Sequence, residues 1–362
     1  MTKKEISIVG VGKLGLCLAL NLERKGFKVL GVDVSQSYVD SLNSKTFESD
    51  EDQVSSLLKS SKNILFTTDI EESLINDLIF LVVSTPSLPS GDYDHSYIDS
   101  VVEKYLNLGI RDKHLVICCT TMPGYCDTVE EKLSPLGWAV TYNPEFIAQG
   151  TIIRDQIYPD MILIGQNDSE KAEEVSSVYK SLVENDPRYA IMSRTEAEIT
   201  KIALNCFLTT KIAYANMVGD VVLAAGGSPD KVLTAIGSDS RVGGKYLKYG
   251  FGFGGPCFPR DNKAFGNFSD SVGVNPYISR ATDESNKHHL DQQSRNLGDV
   301  DSLVFTCVTY KPESTLLVES QQLALALKLA QNGVKVKIRE RSSVIDQLKN
   351  EYGDIFEYEQ RG

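Results

Sequence analysis

Apolar runs alternate with helix-like stretches over the first half of the chain. The runs with the character of buried strands are residues 5–11, 27–33, 78–84, 114–120, 138–143 and 161–165. Most are separated by stretches with helical spacing, the first of which covers 14–25 and ends at Gly26. Strands that alternate with helices form right-handed βαβ units around a mostly parallel sheet. The pattern predicts a Rossmann-like α/β domain over residues 1–193.

The pattern becomes helical from about residue 194. Helical spacing continues for about thirty residues without a strand signal and stops at Gly226–Gly227. A helix of this length is typical of a spine between domains or of a dimer element. Residues 241–265 are too rich in glycine for regular structure, and 276–296 again have helical spacing. We predict a central, all-helical domain over residues 194–298.

A third pattern covers residues 299–362. Strand-like runs at 302–311 and 334–340 flank a helix-like stretch at 319–332. This order predicts a single βαβ unit, so a short αβ segment follows the helical domain.

Composition and charge exclude several classes of partner. The 362 residues include 49 acidic and 37 basic ones, which give a formal net charge of −12. This balance provides no general attraction to nucleic acid or to anionic membranes. No apolar run reaches the ~18 residues of a membrane span, and the first residues, MTKKEISIVG, lack the pattern of a signal peptide. We expect a cytoplasmic protein that binds neither nucleic acid nor membrane.

A glycine-rich turn follows the first predicted strand. Residues Gly10-Val11-Gly12-Lys13-Leu14-Gly15 fit the GxGxxG pattern and open a predicted helix, and Asp33 ends the next strand. In this context Gly12 lets the backbone approach a pyrophosphate, which binds at the helix N-terminus. Asp33 would accept hydrogen bonds from the ribose and would repel a 2′-phosphate, so NAD is favoured over NADP. The alternative is a glycine turn in some other βαβ fold.

Polar residues follow three more of the predicted strands. They are Thr85-Pro86, Thr121-Met122-Pro123 and Asn143-Pro144-Glu145-Phe146. Ligands of open α/β sheets bind at the carboxyl ends of the strands, which favours a functional role. Plain strand ends and turns are the alternatives.

Cys257 lies in an unusual setting among the seven cysteines. The others lie mostly in apolar runs, and no CxxC pair or metal-ligand spacing occurs, which indicates a reducing compartment and no metal site. Residues 254–261 read GGPCFPRD, whose glycines allow a ligand to approach and whose prolines stiffen the position. Arg260 and Lys263 are cations close in sequence that favour a thiolate. Cys257 is a candidate nucleophile, with a buried structural cysteine as the alternative.

Lys201 and Asn205 lie four residues apart on the long predicted helix. They therefore share one face of it, on a stripe that is otherwise apolar. A buried lysine and asparagine need a function or a partner. A solvated edge of the helix is the alternative.

Together these motifs resemble one family, the UDP-glucose/GDP-mannose dehydrogenases. The resemblance runs from residue 5 to about residue 300, and Arg241–Asp261 is its most specific part. The motifs that carry it are GVGKLG, GVD, VSTP, TTMPG, NPEFIAQGT, EITKIALNCF, SRVGGKYLK and GFGFGGPCFPRD.

The resemblance implies that the C6 alcohol of a nucleotide sugar is oxidised twice to the acid, with two NAD and one water. The cysteine matching Cys257 forms a thiohemiacetal and then a thioester, which water hydrolyses. The lysine matching Lys201 stabilises the oxyanion, and Asn205 matches a residue that helps to hold this oxygen and a water. Asp261 matches an acid beside the lysine, and Glu145 matches a carboxylate for acid–base steps and hydrolysis. Thr121 matches a hydroxyl of the water network.

The resemblance also implies sets of binding residues. The cofactor positions are Gly10, Gly12, Lys13, Leu14, Gly15, Asp33, Ser84, Thr85, Pro86, Thr121 and Gln149. The substrate positions are Phe146, Lys201, Asn205, Arg241, Tyr246, Lys248, Phe253, Gly254, Arg260 and Lys311. Arg241 matches an arginine that reaches a neighbouring subunit's site, and the long helix would form the interface of a homodimer.

The chain departs from the family pattern at several places. Gln149 stands where the family usually has glutamate, Met161 and Val318 each replace an arginine, and 124–126 disturb a PPGT or PVGT turn. Only about sixty residues match a third domain that is a full αβ unit in the family. These changes do not touch Cys257, and we expect the chemistry to survive with altered nucleotide recognition or weaker cofactor affinity.

Several functional readings stay open at this level. UDP-glucose is favoured because NPEFIAQGT and the segment around Cys257 look most like that branch, but GDP-mannose and UDP-N-acetylhexosamines are alternatives. A one-step reductase of the β-hydroxyacid type would not need the GFGGPCFP segment. A degenerate homologue that binds NAD or a protein partner without catalysis is the non-enzymatic alternative.

Overall fold

The computed structural model describes residues 5–147, 150–312 and 314–361. Its contacts divide the chain into two compact units, Met1–Lys201 and Ile202–Gly362. The second unit contains both the region predicted as the central helical domain and the final αβ segment. The three-part division at residues 193 and 298 stays a prediction.

The first unit contains a sheet of eight described strands. They are β1 (Glu5–Val9), β2 (Lys28–Val32), β3 (Ile64–Thr67), β4 (Leu78–Leu81), β5 (His114–Ile117), β6 (Ala139–Tyr142), β7 (Met161–Gly165) and β8 (Arg188–Met192). Their order is β3-β2-β1-β4-β5-β6-β7-β8. The first six are parallel, β7 is antiparallel to β6, and β8 is parallel to β7. The order of the first six is that of a dinucleotide-binding sheet.

Helices cover both faces of this sheet. They are α1 (Lys13–Arg24), α2 (Gln36–Asn43), α3 (Val54–Ser60), α4 (Ser96–Leu108), α5 (Tyr125–Leu133), α6 (Ile152–Ile157), α7 (Ser169–Leu182) and the start of α8 (Arg194–Ala224). Side chains alternate along each strand, so Ile8 and Phe80 belong to one hydrophobic core while Val9 and Leu81 belong to the other. The predicted α/β domain is confirmed, with burial on both faces as parallel sheets require.

The second unit begins with most of α8 and continues with helices and a small sheet. Its other elements are α9 (Pro229–Gly237), α10 (Phe258–Ser271), α11 (Tyr277–Asn296), β9 (Ser302–Phe305), α12 (Gln321–Gln331), β10 (Lys335–Glu340), α13 (Ser342–Tyr352) and β11 (Glu357–Gln360). The three strands are parallel in the order β11-β10-β9. The predicted long helix is confirmed. The glycine-rich stretch is irregular only up to Cys257, and the prediction is wrong for residues 258–265, which form the first turns of α10.

Three strands escaped the sequence prediction because they lie at sheet edges. Strands β3 and β8 are only partly buried, so neither produces a continuous apolar run. Strand β11 is the polar sequence EYEQ at the edge of the small sheet. The prediction of a single βαβ unit after residue 299 is therefore wrong, since α13 and β11 follow it. Among the described residues, no helix combines the length and apolar character needed to cross a bilayer.

The first turn of α8 is tied to helix α5. The Arg194 guanidinium is buried, and its Nε donates to Oδ1 of Asp127 at 2.6 Å. Thr195 donates its hydroxyl to the other carboxylate oxygen of Asp127 at 2.7 Å. Since Asp127 is in α5, the start of α8 is fixed to that helix.

Glu198, in the next turn of α8, caps the N-terminus of α5 with a buried carboxylate. It accepts hydrogen bonds from the backbone N–H groups of Gly124 at 2.6 Å and Cys126 at 2.9 Å, and from the Thr121 hydroxyl at 2.8 Å. These N–H groups have no partner inside the helix, and the helix dipole favours an anion at this end. Burial is the main cause that raises the pKa of Glu198, while its hydrogen bonds with Cys126, Thr121 and Gly124 lower it.

Replacing Glu198 with glutamine is expected to destabilise the first unit. The variant Glu198→Gln exchanges one carboxylate oxygen for an NH₂ group, which leaves a buried N–H donor facing another donor. We expect a loss of about 2–3 kcal/mol in the free energy of unfolding, measured by urea denaturation. The variant Glu131→Gln, at an exposed carboxylate on α5, is the matched control. Equal stabilities of the two variants would contradict the capping role.

Candidate functional site

The glycine turn after β1 has the geometry that a dinucleotide requires. Gly10 has φ +91°, and a Cβ there would lie 2.6 Å from the Val82 carbonyl oxygen. A Cβ on Gly15 would lie 2.0 Å from the Gly10 carbonyl oxygen. At Gly12, by contrast, a Cβ would meet no atom within 4 Å. Gly10 and Gly15 are therefore needed for the turn itself, whereas Gly12 leaves open space beside the backbone for a ligand.

The groups around this turn fit NAD. Helix α1 begins directly after Gly12, which caps it without a side-chain hydrogen bond, so backbone N–H groups at its N-terminus are available for a pyrophosphate. Asp33 lies half-buried at the end of β2, and its Oδ1 accepts a hydrogen bond from the Ser35 N–H at 3.2 Å. A carboxylate at this place suits a ribose diol.

The other predicted cofactor residues occupy different environments. Lys13, Leu14, Ser84 and Pro86 are exposed, whereas Thr85 is buried. These residues follow β1 and β4, which are neighbours in the sheet at the point where the strand order reverses. This point is the expected ligand crevice of an open α/β sheet. Gln149 lies outside the described residues.

Glu145, after β6, is the candidate acid–base group of the first unit. Its Oε1 is inaccessible to solvent and has no hydrogen-bond partner among the described residues. Burial raises the pKa of Glu145 to about 7, although the nearby Lys201 favours the charged form. A carboxylate whose pKa lies near neutrality can accept and return a proton at physiological pH.

Lys201 lies directly beside this carboxylate residue. Its side chain is buried, with 9% exposure, and Nζ donates to the backbone carbonyl oxygen of Glu145 at 2.5 Å. The same ammonium lies 4.5 Å from the centroid of the Phe146 ring. A solvated helix edge, the alternative explanation for Lys201, is therefore wrong.

Thr121 is fully buried, and its hydroxyl donates a hydrogen bond to the Glu198 carboxylate. In this arrangement the hydroxyl supports the anchoring of α8, and Lys201 lies three residues after Glu198 on the same helix. The contacts predicted for Thr121 with the cofactor and with a water network stay predictions.

In the second unit, Cys257 is exposed at the beginning of α10. The helix starts at the next residue and has Pro259 in its first turn, which is the preferred place for proline. A thiol at a helix N-terminus is favoured as the thiolate by the helix dipole. The alternative that Cys257 is a buried structural cysteine is wrong.

The glycines before Cys257 accommodate the protein's own later segment. A Cβ on Gly254 would lie 2.1 Å from the Glu319 carbonyl oxygen, and one on Gly255 would lie 2.5 Å from the Tyr310 ring. The sequence predicted that these glycines admit a ligand, but the close neighbours found here belong to the chain itself. The loop is shaped by residues far away in sequence.

Asn286 of α11 holds the same loop from another direction. Its Oδ1 accepts from the Phe253 N–H and its Nδ2 donates to the Phe253 carbonyl, both at 2.9 Å. A Cβ on Gly252 would lie 2.2 Å from the Asn286 Oδ1. This two-point hydrogen bond fixes the backbone of a predicted substrate residue whose side chain is buried.

Asp261 and Arg260, in the first turn of α10, form a polar cluster with Asn205 of α8. Asn205 Nδ2 donates to Oδ2 of the buried Asp261 at 2.6 Å, and Arg260 Nε donates to Oδ1 at 3.2 Å. The backbone N–H of Asp261 donates to the Cys257 carbonyl at 2.8 Å. The structure thus brings together four of the residues that the sequence singled out.

Four other predicted substrate residues lie nearer the surface. Tyr246 has φ +61° and is 47% exposed, with its ring centroid 6.3 Å from that of Phe258. Lys248 and Arg241 are exposed, and Arg241 pairs with Asp239 at 2.7 Å. Lys311 is half-buried with its Nζ 5.6 Å from the centroid of the Tyr310 ring. Their substrate contacts stay predictions.

Sequence reasoning missed Glu198 and Asn286, both of which position functional segments. Glu198 had a detectable signal, because it is an acid on an apolar helix face three residues from Lys201. Asn286 lies in a helix rich in polar residues and had none. Lys201 ends the first unit and Cys257 belongs to the second, so their action on one carbon stays a prediction.

Comparison with known proteins gives a consistent result. Residues 4–183 match the NAD-binding domain of the UDP-glucose/GDP-mannose dehydrogenase family, and residues 195–288 match its central domain. The chain is 31% identical over 288 residues to the UDP-glucose 6-dehydrogenase of Rickettsia felis, an alignment that covers 78% of this chain and 64% of that protein. The chain thus spans just under two thirds of the length of that curated relative.

Two further relatives match over more of the chain. The UDP-glucose 6-dehydrogenase of Rickettsia conorii is 30% identical over 345 residues, which cover 92% of this chain and 79% of that protein. The solved structure of a UDP-glucose dehydrogenase from the hyperthermophilic archaeon Pyrobaculum islandicum superposes with a TM-score of 0.87 and 29% identity, covering 98% of this chain and 85% of the other. The chain therefore belongs to the UDP-glucose/GDP-mannose dehydrogenase family, and its amino-terminal domain is the NAD-binding domain of that family.

Proposed function

We propose that the protein oxidises the C6 alcohol of a nucleotide sugar to the carboxylic acid in two NAD-dependent steps. The family relationship supports the reaction class and the cofactor. The observation that carries the proposal is the exposed Cys257 at the N-terminus of α10, on a loop held by Asn286. A one-step alcohol dehydrogenase would not need a thiol in this setting.

The first oxidation needs a group that stabilises a developing oxyanion. The buried ammonium of Lys201 has this character, and a preorganised donor of this kind is worth ~3–4 kcal/mol in typical enzymes. In each oxidation C6 would lose a hydride to a bound NAD⁺, with a fresh NAD⁺ for the second, and the hydroxyl would release its proton to water. Asn205, one turn after Lys201 on α8, would help to hold the same oxygen.

Cys257 then captures the aldehyde. Its Sγ adds to C6, and the carbonyl electron pair moves to oxygen to form a thiohemiacetal. The second oxidation converts this adduct to a thioester. Glu145 takes a proton from the attacking water, whose oxygen adds to the thioester carbon, and the C–S bond breaks to release the acid and the Cys257 thiolate. The pKa of Glu145, raised to about 7 by burial, suits this step.

UDP-glucose is the favoured substrate within this class. Two relatives that match a large part of this chain carry the name UDP-glucose 6-dehydrogenase. GDP-mannose and UDP-N-acetylhexosamines are alternatives, since at about 30% identity relatives in such a family can differ in the sugar they accept. The departures at Gln149 and Val318 bear on nucleotide binding rather than on the thiol chemistry.

The protein is further proposed to form a homodimer through α8. This helix exposes a large apolar stripe: Phe207, Tyr214, Met217 and Val221, which are 62%, 49%, 48% and 64% exposed. Apolar side chains that recur at this helical spacing form one face. Contiguous exposed apolar surface of this kind marks an interface.

A panel of nucleotide sugars tests the proposed activity. We expect UDP-glucose with NAD⁺ to yield two NADH per sugar, measured by absorbance together with product analysis. UDP-N-acetylglucosamine, UDP-N-acetylmannosamine and GDP-mannose are the comparison substrates. Binding of NAD⁺ in a thermal-shift assay, without NADH formation from any sugar nucleotide, would favour a non-catalytic homologue instead.

Removing the thiol is expected to separate the two oxidations. In Cys257→Ser the second oxidation should stall because no thiohemiacetal forms, so the yield falls from two NADH per sugar to at most one. The variant Cys307→Ser, at a half-buried cysteine elsewhere in the second unit, is the matched control and should keep the full yield. An unchanged yield in Cys257→Ser would end the covalent mechanism.

Charges placed on the apolar stripe test the dimer. The double variant Phe207→Asp/Val221→Asp is expected to weaken self-association by roughly 100-fold or more, because charges in an interface core are left desolvated. Sedimentation velocity over a concentration series measures this change. The variant Tyr277→Asp, at an aromatic residue 73% exposed on α11, is the control. Equal self-association of both variants would contradict an interface on α8.

A further inference from the structure

Two buried amides lie behind Glu145 in the first unit. Asn21 of α1 is 0% exposed and Gln156 of α6 is 3% exposed. Burying a primary amide in a hydrophobic core costs free energy unless its donors and acceptors are paired. Their positions therefore call for hydrogen-bonding partners.

The hydrogen bonds of these amides have a defined direction. Asn21 Nδ2 donates to the Ile153 carbonyl at 3.1 Å and to Gln156 Oε1 at 2.9 Å. A carbonyl oxygen only accepts, so Ile153 requires the NH₂ group of Asn21 on its side. That NH₂ group in turn requires the oxygen of Gln156. The remaining group of Gln156 is consequently its donor, Nε2.

The donor of Gln156 and an acceptor of Glu145 complement each other. Gln156 Nε2 and Glu145 Oε1 are both inaccessible to solvent, and neither has a hydrogen bond of ordinary geometry among the described residues. Gln156 nevertheless lies close enough to Glu145 to favour its charged form, and so lowers its pKa. The two atoms are therefore a buried donor and a buried acceptor on neighbouring side chains, and each lacks a partner in the described part of the chain.

We propose that Gln156, oriented by Asn21, is a positioning residue that donates a hydrogen bond from Nε2 to Oε1 of Glu145 and keeps this carboxylate in its proton-accepting form. The catalytic meaning of this arrangement rests on the proposed function. The hydrogen-bond arrangement itself does not.

The other ionisable groups around Glu145 leave this role to Gln156 and Lys201. Cys17 of α1, Cys118 after β5 and Tyr179 of α7 all interact electrostatically with Glu145. Burial raises the pKa of each of them, that of Cys17 to about 12, so all three are neutral near pH 7. The charged form of Glu145 therefore depends on the Lys201 ammonium and on the Gln156 donor.

Loss of the Gln156 donor has a predictable sign. Burial disfavours the carboxylate, and the donor opposes this effect. Without the Gln156 donor, the Glu145 carboxyl keeps its proton up to a higher pH. The acid limb of the pH–rate profile therefore shifts to higher pH. One hydrogen bond to a charged group corresponds to a shift of about one to two pH units.

The decisive measurement titrates Glu145 itself. The infrared carbonyl band of a protonated, buried carboxyl is followed against pH, and Glu145→Gln identifies the band that belongs to this residue. In Gln156→Met, a substitution of similar volume without the donor, the titration midpoint is expected to rise by about one to two pH units. In Gln156→Glu, which keeps an acceptor for Asn21, the midpoint is also expected to rise.

The control and the second readout separate a positioning role from a structural one. Gln166→Met removes another buried amide of the same unit, which bonds to Val140 and Thr141, and should leave the Glu145 midpoint unchanged. The pH profile of kcat/KM for NADH formation should move with the infrared midpoint in Gln156→Met. Asn21→Leu should give a shift of the same sign, because Gln156 then loses its orientation.

An unchanged Glu145 midpoint in both Gln156→Met and Gln156→Glu would overturn the proposal, even if stability falls. A shifted midpoint in a protein that forms no NADH with any nucleotide sugar would uphold the hydrogen bond and reject the proposed activity. Circular dichroism of each variant establishes that the measured state is folded.

Discussion

The buried carboxylate of Glu198 is the constraint on which the first unit's site depends. It joins the second turn of α8 to the N-terminus of α5. There it accepts hydrogen bonds from two backbone N–H groups and from the Thr121 hydroxyl. Lys201 lies three residues later, so its ammonium reaches the Glu145 carbonyl along a helix that is already fixed. In the proposed mechanism, a flexible lysine would lose much of the preorganisation that makes an oxyanion donor effective.

The environment of Glu145 shows how opposing effects set one carboxylate near neutrality. Burial alone would hold the proton, whereas the Lys201 ammonium and the Gln156 amide favour the anion. Burial is the larger effect, and the two opposing groups limit the rise of the pKa to about 7, which suits acid–base catalysis near neutral pH. The balance is assembled from four separate segments of the chain, namely β6 with its following loop, α6, α8 and, through Asn21, α1.

Local signals explain why parts of this protein were predictable. The glycine turn at residues 10–15 is encoded in contiguous sequence and has the expected geometry. The sequence around Cys257 correctly indicated an exposed thiol, although its glycines pack against the chain itself. The partners of these segments are not contiguous: Glu198 and Gly124 are 74 residues apart, and Asn21 and Gln156 are 135 apart. Edge strands such as β11 were missed because partial burial leaves no apolar run. Pairing over such distances depends on packing that periodicity does not encode.

The contact of Gly254 with the Glu319 carbonyl and of Gly255 with the Tyr310 ring has a consequence for how this protein can change. The backbone before Cys257 packs directly against residues more than fifty positions downstream, and no side chain would fit between the two segments. Substitutions in that stretch can therefore move the sulfur by fractions of an ångström while every residue of the loop stays the same. Variation of the carboxyl-terminal sequence thus provides a means of tuning reactivity at a distance.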